Sequence, residues 1–254
     1  MLQPSNKTAM VLAWNFFKGN YALNFAAVAI LLVLSLLGII PIVGLLFVFA
    51  YSIVSISIQV YFARAVNSVQ SEEEIADVAA RTKIGELLVT YLHVAAGAFL
   101  ALFTISLVFM LLFGATVSMN MDIETLQNGV AITQSEMVGM VFGASGVVGL
   151  LLLLIAAVLF YFFPSAMGEA MLSDTFTDAF KKVFLIFFPS HWKRCLNKEY
   201  FILVLVWSLI LMAVWFVLLL LSASIILLPV VLLAAYIVSL YNAAIYVFAL
   251  RLAK

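Results

Sequence analysis

Ser52, Ser55 and Gln59 lie three and seven residues apart in an otherwise apolar stretch, and Ser239, Asn242 and Tyr246 repeat that spacing near the other end of the chain. On a helix these offsets share one face, so each set forms a polar stripe. Hydroxyl, amide and phenol groups donate and accept hydrogen bonds, which is the chemistry of binding rather than of bond cleavage. Reactive groups are few. His93 and His191 are not spaced as metal ligands, and the single Cys195 closes no intramolecular disulfide. The chain carries no Gly-rich phosphate loop, serine elbow or His-Glu metalloprotease motif. Asp and Glu are missing from the deep apolar stretches, which argues against an intramembrane aspartyl protease and an ion pump. The expectation is a chain with no catalytic residue, no metal site and no cofactor.

The elements that carry the stripes follow from composition. Hydrophobic residues make up 67% of the chain and charged residues 9%, with a mean hydropathy of +1.26 and no net charge. A hydrocarbon core about 30 Å thick takes roughly 20 apolar residues per helix and offers backbone polar groups no partner. Transmembrane barrels alternate apolar and polar residues, whereas Leu150 to Phe163 is unbroken apolar sequence. The fold class expected is all-α, a polytopic membrane helical bundle. No secretory signal pattern opens the chain, so no segment is expected to be removed.

The whole chain, 1–254, reads as one transmembrane domain. Residues 8–18 read as an interfacial amphipathic helix, with Met10, Trp14 and Phe17 on one face and Lys7 and Lys18 at its ends. Residues 20–64 form a first hairpin of two spans turning at Pro41, and 67–86 a polar interfacial segment. A central hairpin covers 87–163, ended by Pro164, and includes an acidic external loop at 114–136 whose charges are Asp122, Glu124 and Glu136. Residues 164–199 form a basic segment with a Phe-rich helix, and 200–251 a second hairpin broken at Pro229.

Six spans put every Lys and Arg on one side of the membrane, and the positive-inside rule makes that side, with both termini, cytoplasmic. The first hairpin closes on IQVYFAR ending at Arg64 and the second on IYVFALR ending at Arg251. Read as an internal duplication, the two hairpins have parallel topology. Counting back from these arginines sets the two polar stripes opposite each other.

Each stripe has two readings. Helix packing through interhelical hydrogen bonds, worth about 0.6 kcal/mol each, is the preferred one; a groove between the repeats for a lipid headgroup or small solute is the alternative. Gly139, Gly143, Gly146 and Gly149 let two helix backbones approach closely, within the bundle or across a homo-oligomer or partner-subunit interface. Arg64, Glu169 and Arg251 mark the cytoplasmic edge, the arginines acting as phosphate anchors or as partners of Glu169. The cations from Lys181 to Lys198, with Trp192 among them, suit the anionic lipids of the cytoplasmic leaflet rather than nucleic acid.

Taken together, the amphipathic start, the IIPIVG turn with its closing arginine, the acidic connector, Phe163 to Ala166, the helix at Asp178 to Phe180 and the second hairpin resemble uncharacterised six-helix bacterial membrane proteins. Those are similar to the membrane domain fused to some glycerophosphodiester phosphodiesterases, whose catalytic domain has no counterpart here. The lack of a targeting peptide favours a bacterial inner-membrane location, and the resemblance carries over no catalytic residue. The function expected is a non-catalytic scaffold, assembly factor or auxiliary subunit that binds a partner or lipid; the alternative is a lipid or small-solute transporter with a polar path between the repeats.

The orientation is testable with introduced cysteines in a Cys195→Ala background. Asn128→Cys should react with an impermeant maleimide on sealed cells, and Ser71→Cys only after permeabilisation. Labelling of both from outside would remove the even number of spans.

Overall fold

The computed structural model describes residues 2–118, 144–222 and 227–253, and its regular structure there is helical throughout. In chain order the helices are α1 (Asn6–Gly19), α2 (Tyr21–Leu37), α3 (Gly44–Ser68), α4 (Glu74–Arg81), α5 (Ile84–Val89), α6 (Leu92–Ser118), α7 (Ala144–Met171), α8 (Phe176–Val183), α9 (Pro189–Cys195), α10 (Lys198–Ser222) and α11 (Leu228–Leu252). Two compact units emerge, residues 1–101 with 162–254, and residues 102–161. Among the described residues five stretches are long and apolar enough to cross a membrane: Gly44–Ser68, Ile84–Leu112, Gly149–Met171, Lys198–Ser222 and Pro229–Leu252. The bent pair α1 and α2 makes a sixth if it is one span.

In the smaller unit most of the described side chains of α6 and α7 are apolar and outward-facing, as Met110, Leu111, Leu150, Leu153 and Leu154 illustrate. Lipid is the solvent such surfaces fit. In the larger unit α3 packs against α11, and α11 also lies against α1 and α10. Leu12, Phe16, Ile58, Phe62, Trp207, Leu240, Tyr241 and Phe248 are fully buried there.

The first helix departs from the interfacial expectation. Ser5 caps it, its hydroxyl accepting from the Thr8 N–H at 3.0 Å. Met10 and Trp14 are exposed as expected, but Phe17 is 4% exposed and Leu12, Ala13 and Phe16 are fully buried. The reason is that Ala9, Leu12, Ala13 and Phe16 make a second apolar face with helical spacing, which packs against α4 and α11. Asn6 ties the helix to both C-terminal spans, donating to the Leu203 carbonyl at 3.0 Å and accepting from the Tyr241 hydroxyl.

Between α1 and α2 the chain turns by 98°. Such a bend strands the last carbonyls of one helix and the first N–H groups of the next in an apolar interior. Two asparagines resolve it. Asn20 caps α2, its Oδ1 accepting from the Leu23 N–H at 3.0 Å, while its amide reaches the Ala79 carbonyl on α4 at 3.2 Å. The fully buried Asn24 donates to the carbonyls of Phe16 and Phe17 at 3.2 Å and of Asn20 at 2.8 Å, and its Oδ1 accepts from the Tyr236 hydroxyl at 2.5 Å. Gly19 is required at the same corner, because a Cβ there would stand 2.6 Å from the Ala76 carbonyl oxygen of α4.

The α2–α3 turn follows the Pro41 expectation, with Ile42 held at φ 69°, a region costly for a β-branched residue. Pro164 does not end its helix as expected. α7 continues to Met171 with Pro164 inside it, and the Ser165 hydroxyl donates to the Phe162 carbonyl at 3.3 Å, a bond beside the proline that does not replace the N–H it lacks. The expected 67–86 segment becomes α4 and the start of α5, and the 114–136 loop falls beyond residue 118 outside the described residues except for 114–118, which complete α6.

Asn24→Ala should lower stability by about 2 kcal/mol or more, since it leaves buried carbonyls and a buried hydroxyl unpaired. Tyr236→Phe, which leaves Asn24 its three carbonyl bonds, should cost about 1 kcal/mol. Thermal unfolding in detergent checks the order, and equal losses would remove Asn24 from its central position.

Candidate polar pocket

α3 and α11 carry the two stripes, and their packing brings five of the six stripe residues to one cavity. Ser55 and Gln59 from α3 face it with Ser239, Asn242 and Tyr246 from α11. Its volume is about 280 Å³, and Val28 and Leu31 of α2 and Trp215 of α10 complete the wall. Ser52 does not line it; its hydroxyl donates to the Val48 carbonyl one turn back at 2.9 Å. Gln59 and Tyr246 each precede their closing arginine by five residues, about 7–8 Å of helix rise. Ser239 precedes Arg251 by twelve, about 18 Å, and Leu232, which also lines the cavity, by nineteen, about 28 Å, so the cavity runs from near the charged end past the middle of α11.

Several polar groups of the wall have spare hydrogen-bonding capacity. The Gln59 amide reaches the Ser55 carbonyl of its own helix at 3.4 Å, which leaves its Oε1 without a bond among the described residues. Asn242 accepts from the Trp207 indole N–H at 2.9 Å, so its Oδ1 is engaged while its amide hydrogens are not. Ser239 donates to the Tyr236 carbonyl at 2.7 Å and keeps acceptor lone pairs. Tyr246 is fixed by ring contacts, edge-on to Phe163 at 5.6 Å and to Trp207 at 6.0 Å. Gly168 of α7 packs directly on the Tyr246 carbonyl, a close approach that no side chain would permit.

Tyr51 and Tyr236 also line the cavity and were absent from the expected site. Tyr51 adjoins Ser52 one helical turn before Ser55, and Tyr236 lies three residues before Ser239, so carrying the stripes further back along each helix would have reached both. Trp207 and Trp215 come from a different helix, and nothing in the spacing announces them.

Below the pocket the charges pair differently from the expected arginine–Glu169 cluster. Glu169 binds Arg194 at 3.0 Å and Lys182 at 3.4 Å. Arg64 donates to the Ser173 carbonyl and to Asp174 at 3.1 Å, with its guanidinium 4.5 Å from the Tyr91 ring. Arg251 donates to the Val66 carbonyl at 3.1 Å, at the end of α3. Arg194 and Asn197 in turn reach the Ala253 and Leu252 carbonyls at 3.2 and 2.9 Å, at the end of α11. The physical reason is geometric: helix C-termini collect unpaired carbonyls at this level, and the long cations reach them first. Gly139 and Gly143 lie outside the described residues; Gly146 is in α7, and a Cβ on Gly149 would meet nothing within 4 Å among them.

His93 bonds the Asp174 carbonyl at 3.1 Å, a contact between α6 and the turn after α7. His191 and Cys195 were read as isolated, yet α9 sets them one turn apart against Ser165 of α7. Ser165 Oγ lies 2.8 Å from His191 Nε2 and 3.1 Å from Cys195 Sγ. A hydroxyl, an imidazole and a thiol together can in principle support nucleophilic chemistry. Here all three are buried, and burial pushes the thiol above its ordinary value, the reverse of activation. Among the described residues no group of three or more His, Cys, Asp or Glu is placed to hold a metal ion.

Against protein-family models, curated proteins and solved structures, the chain finds no match.

Burial lowers the His191 pKa below its ordinary 6.5, opposed by the Glu169 carboxylate and reinforced by Arg194. In the unfolded chain His191 takes up a proton at a higher pH than in the folded one, so stability falls as pH falls. The contribution is complete above pH 6.5 and is lost as pH drops through the folded-state value. His191→Gln should flatten the thermal stability profile between about pH 7 and 5. An unchanged profile would mean another group titrates.

Proposed function

We propose that the protein is a non-catalytic integral membrane protein that binds a lipid or small polar solute in the pocket between its two hairpins. The observation that carries this reading is the convergence of Ser55, Gln59, Ser239, Asn242 and Tyr246 on one cavity. Helix packing alone consumes polar groups pairwise. Here the Gln59 carbonyl, the Asn242 amide hydrogens and the Ser239 lone pairs are left toward a space of about 280 Å³, close to the lower bound of about 300 Å³ for small-molecule sites. This favours the transport or binding reading over the scaffold that composition first suggested.

The finer topology belongs to the same proposal: six spans, with α1 and α2 as one broken span, a parallel duplication of the two hairpins, both termini cytoplasmic and a bacterial inner-membrane location. All twelve Lys and Arg on one side support it. The Gln59 and Tyr246 end of the pocket is then the one nearer the cytoplasmic face, where Lys181, Lys193 and Lys198 would attract anionic lipids. A partner-binding role keeps one specific support, the open space beside Gly149.

Gln59→Leu is the discriminating variant, because Gln59 bonds only its own helix and its loss should move stability by no more than about 0.5 kcal/mol. Native mass spectrometry of the protein extracted in mild detergent should find a retained small molecule or lipid that this variant loses. Asn242→Leu should lose it too, with a further stability cost of about 1 kcal/mol from the orphaned Trp207 indole. Retention of the same mass in both variants would remove the pocket as the binding site.

A further inference from the structure

The pocket adjoins a second, different space. An apolar groove of about 380 Å³ runs along α10 and α11, lined by Phe216, Leu219 and Val231, and Trp215 forms a wall of both. One space is mixed polar and apolar, the other almost wholly apolar, and they meet at one indole. An occupant using both has a polar head and an apolar tail.

The head can be specified from the charges. Among the described residues no Lys, Arg, Asp or Glu lines the pocket. The nearest arginines in sequence, Arg64 and Arg251, are bound to the Ser173 and Val66 carbonyls, and Glu169 is bound to Arg194 and Lys182. Bringing an ionised phosphate or ammonium into such a site without a counter-charge costs several kcal/mol. The open groups are also of both kinds. The Asn242 amide donates, the Gln59 carbonyl and Ser239 lone pairs accept, and the phenols of Tyr51 and Tyr246 do either. Phosphate oxygens only accept and an ammonium only donates, so each would meet mismatched partners. Hydroxyl groups donate and accept at once, and an aromatic wall packs well against C–H faces.

Resting on the binding function proposed above, we infer that the ligand is a lipid with an uncharged, hydroxyl-bearing headgroup, a glycerol or sugar, seated in the polar pocket with an acyl chain in the groove past Trp215. The volumes fit the division. About 280 Å³ holds the space of roughly nine waters, enough for a headgroup and too little for a diacyl lipid.

The test uses the purified full chain, delipidated and offered one lipid at a time: monoglucosyl diacylglycerol, diacylglycerol, phosphatidylglycerol or phosphatidylethanolamine. Native mass spectrometry reads the bound fraction. Monoglucosyl diacylglycerol or diacylglycerol should bind at least tenfold better than either charged lipid, and Gln59→Leu should reduce that binding at least tenfold. Gln59→Lys, which adds a cation, should shift preference toward phosphatidylglycerol. Leu219→Trp, which fills the groove, should weaken the diacyl ligands while leaving any binding of free methyl glucoside unchanged. Equal retention of a charged lipid that is lost in Gln59→Leu would overturn the headgroup class and leave the binding function standing. Methyl glucoside competing as well as the glycolipid would overturn the lipid and make the ligand a soluble polyol. Lipid retention indifferent to Gln59 and Asn242 would overturn both readings.

Discussion

Asn24 satisfies a bend that an apolar interior would otherwise forbid. Where α1 meets α2 the backbone turns by 98°, and the Phe16, Phe17 and Asn20 carbonyls converge on one buried amide. In water those carbonyls would be solvated; inside the bundle each needs a donor. The other end of the same side chain receives the Tyr236 hydroxyl, so the group that closes the bend also docks α11 on α2. Ser239, Asn242 and Tyr246 follow Tyr236 along α11 at helical intervals, so that contact helps to set their register. The pocket therefore borders the bend directly, since Tyr236 and Val28, one turn after Asn24, both line it.

The charged end of the bundle obeys the same constraint by different means. α3 ends under Arg251, α11 ends under Arg194 and Asn197, and the turn after α7 ends under Arg64. Each terminus is capped by a side chain from another element, and each cap opposes the negative end of a helix dipole. Mutual capping of this kind couples the helices without buried ion pairs, whose desolvation would offset much of their attraction. It also keeps the guanidinium groups busy at the rim. An uncharged pocket lying only about 7–8 Å of helix rise beyond two arginines is the consequence.

Polar groups within the spans divide into two populations. Asn24, Asn6, Tyr236 and Tyr241 bond partners on other helices and hold helices together, Tyr236 while also lining the cavity. Gln59, Asn242 and Ser239 are only partly engaged and border open space. Both populations look alike in composition, since each consists of amides and phenols in apolar helices. Their difference lies in where their partners come from: Asn6, Asn24, Tyr236 and Tyr241 bond across helices, whereas Gln59 and Ser239 bond only their own helix among the described residues.

Much of the architecture was legible in the residue order. Apolar runs of span length have one stable solution in lipid, the helix, because only its hydrogen bonds are all internal. The two stripes were legible as well, since an offset of three or seven residues fixes a shared face regardless of what lies opposite. Their meeting at one cavity, the Trp215 and Trp207 contributions and the Ser165–His191–Cys195 contact were not, because each joins residues from separate helices. Local pattern misled at α1, where a second face of Ala9, Leu12, Ala13 and Phe16 turned a surface helix into a packed one. It misled again at Pro164, where the helix runs on to Met171 with the proline inside it. Periodicity is a property of one helix, and by itself it determined the membrane class, the helical fold and the polar faces. Which face meets which, and therefore where a cavity stays open, depends on side-chain volume and hydrogen-bond partners summed over several helices, and only the tertiary structure decided it.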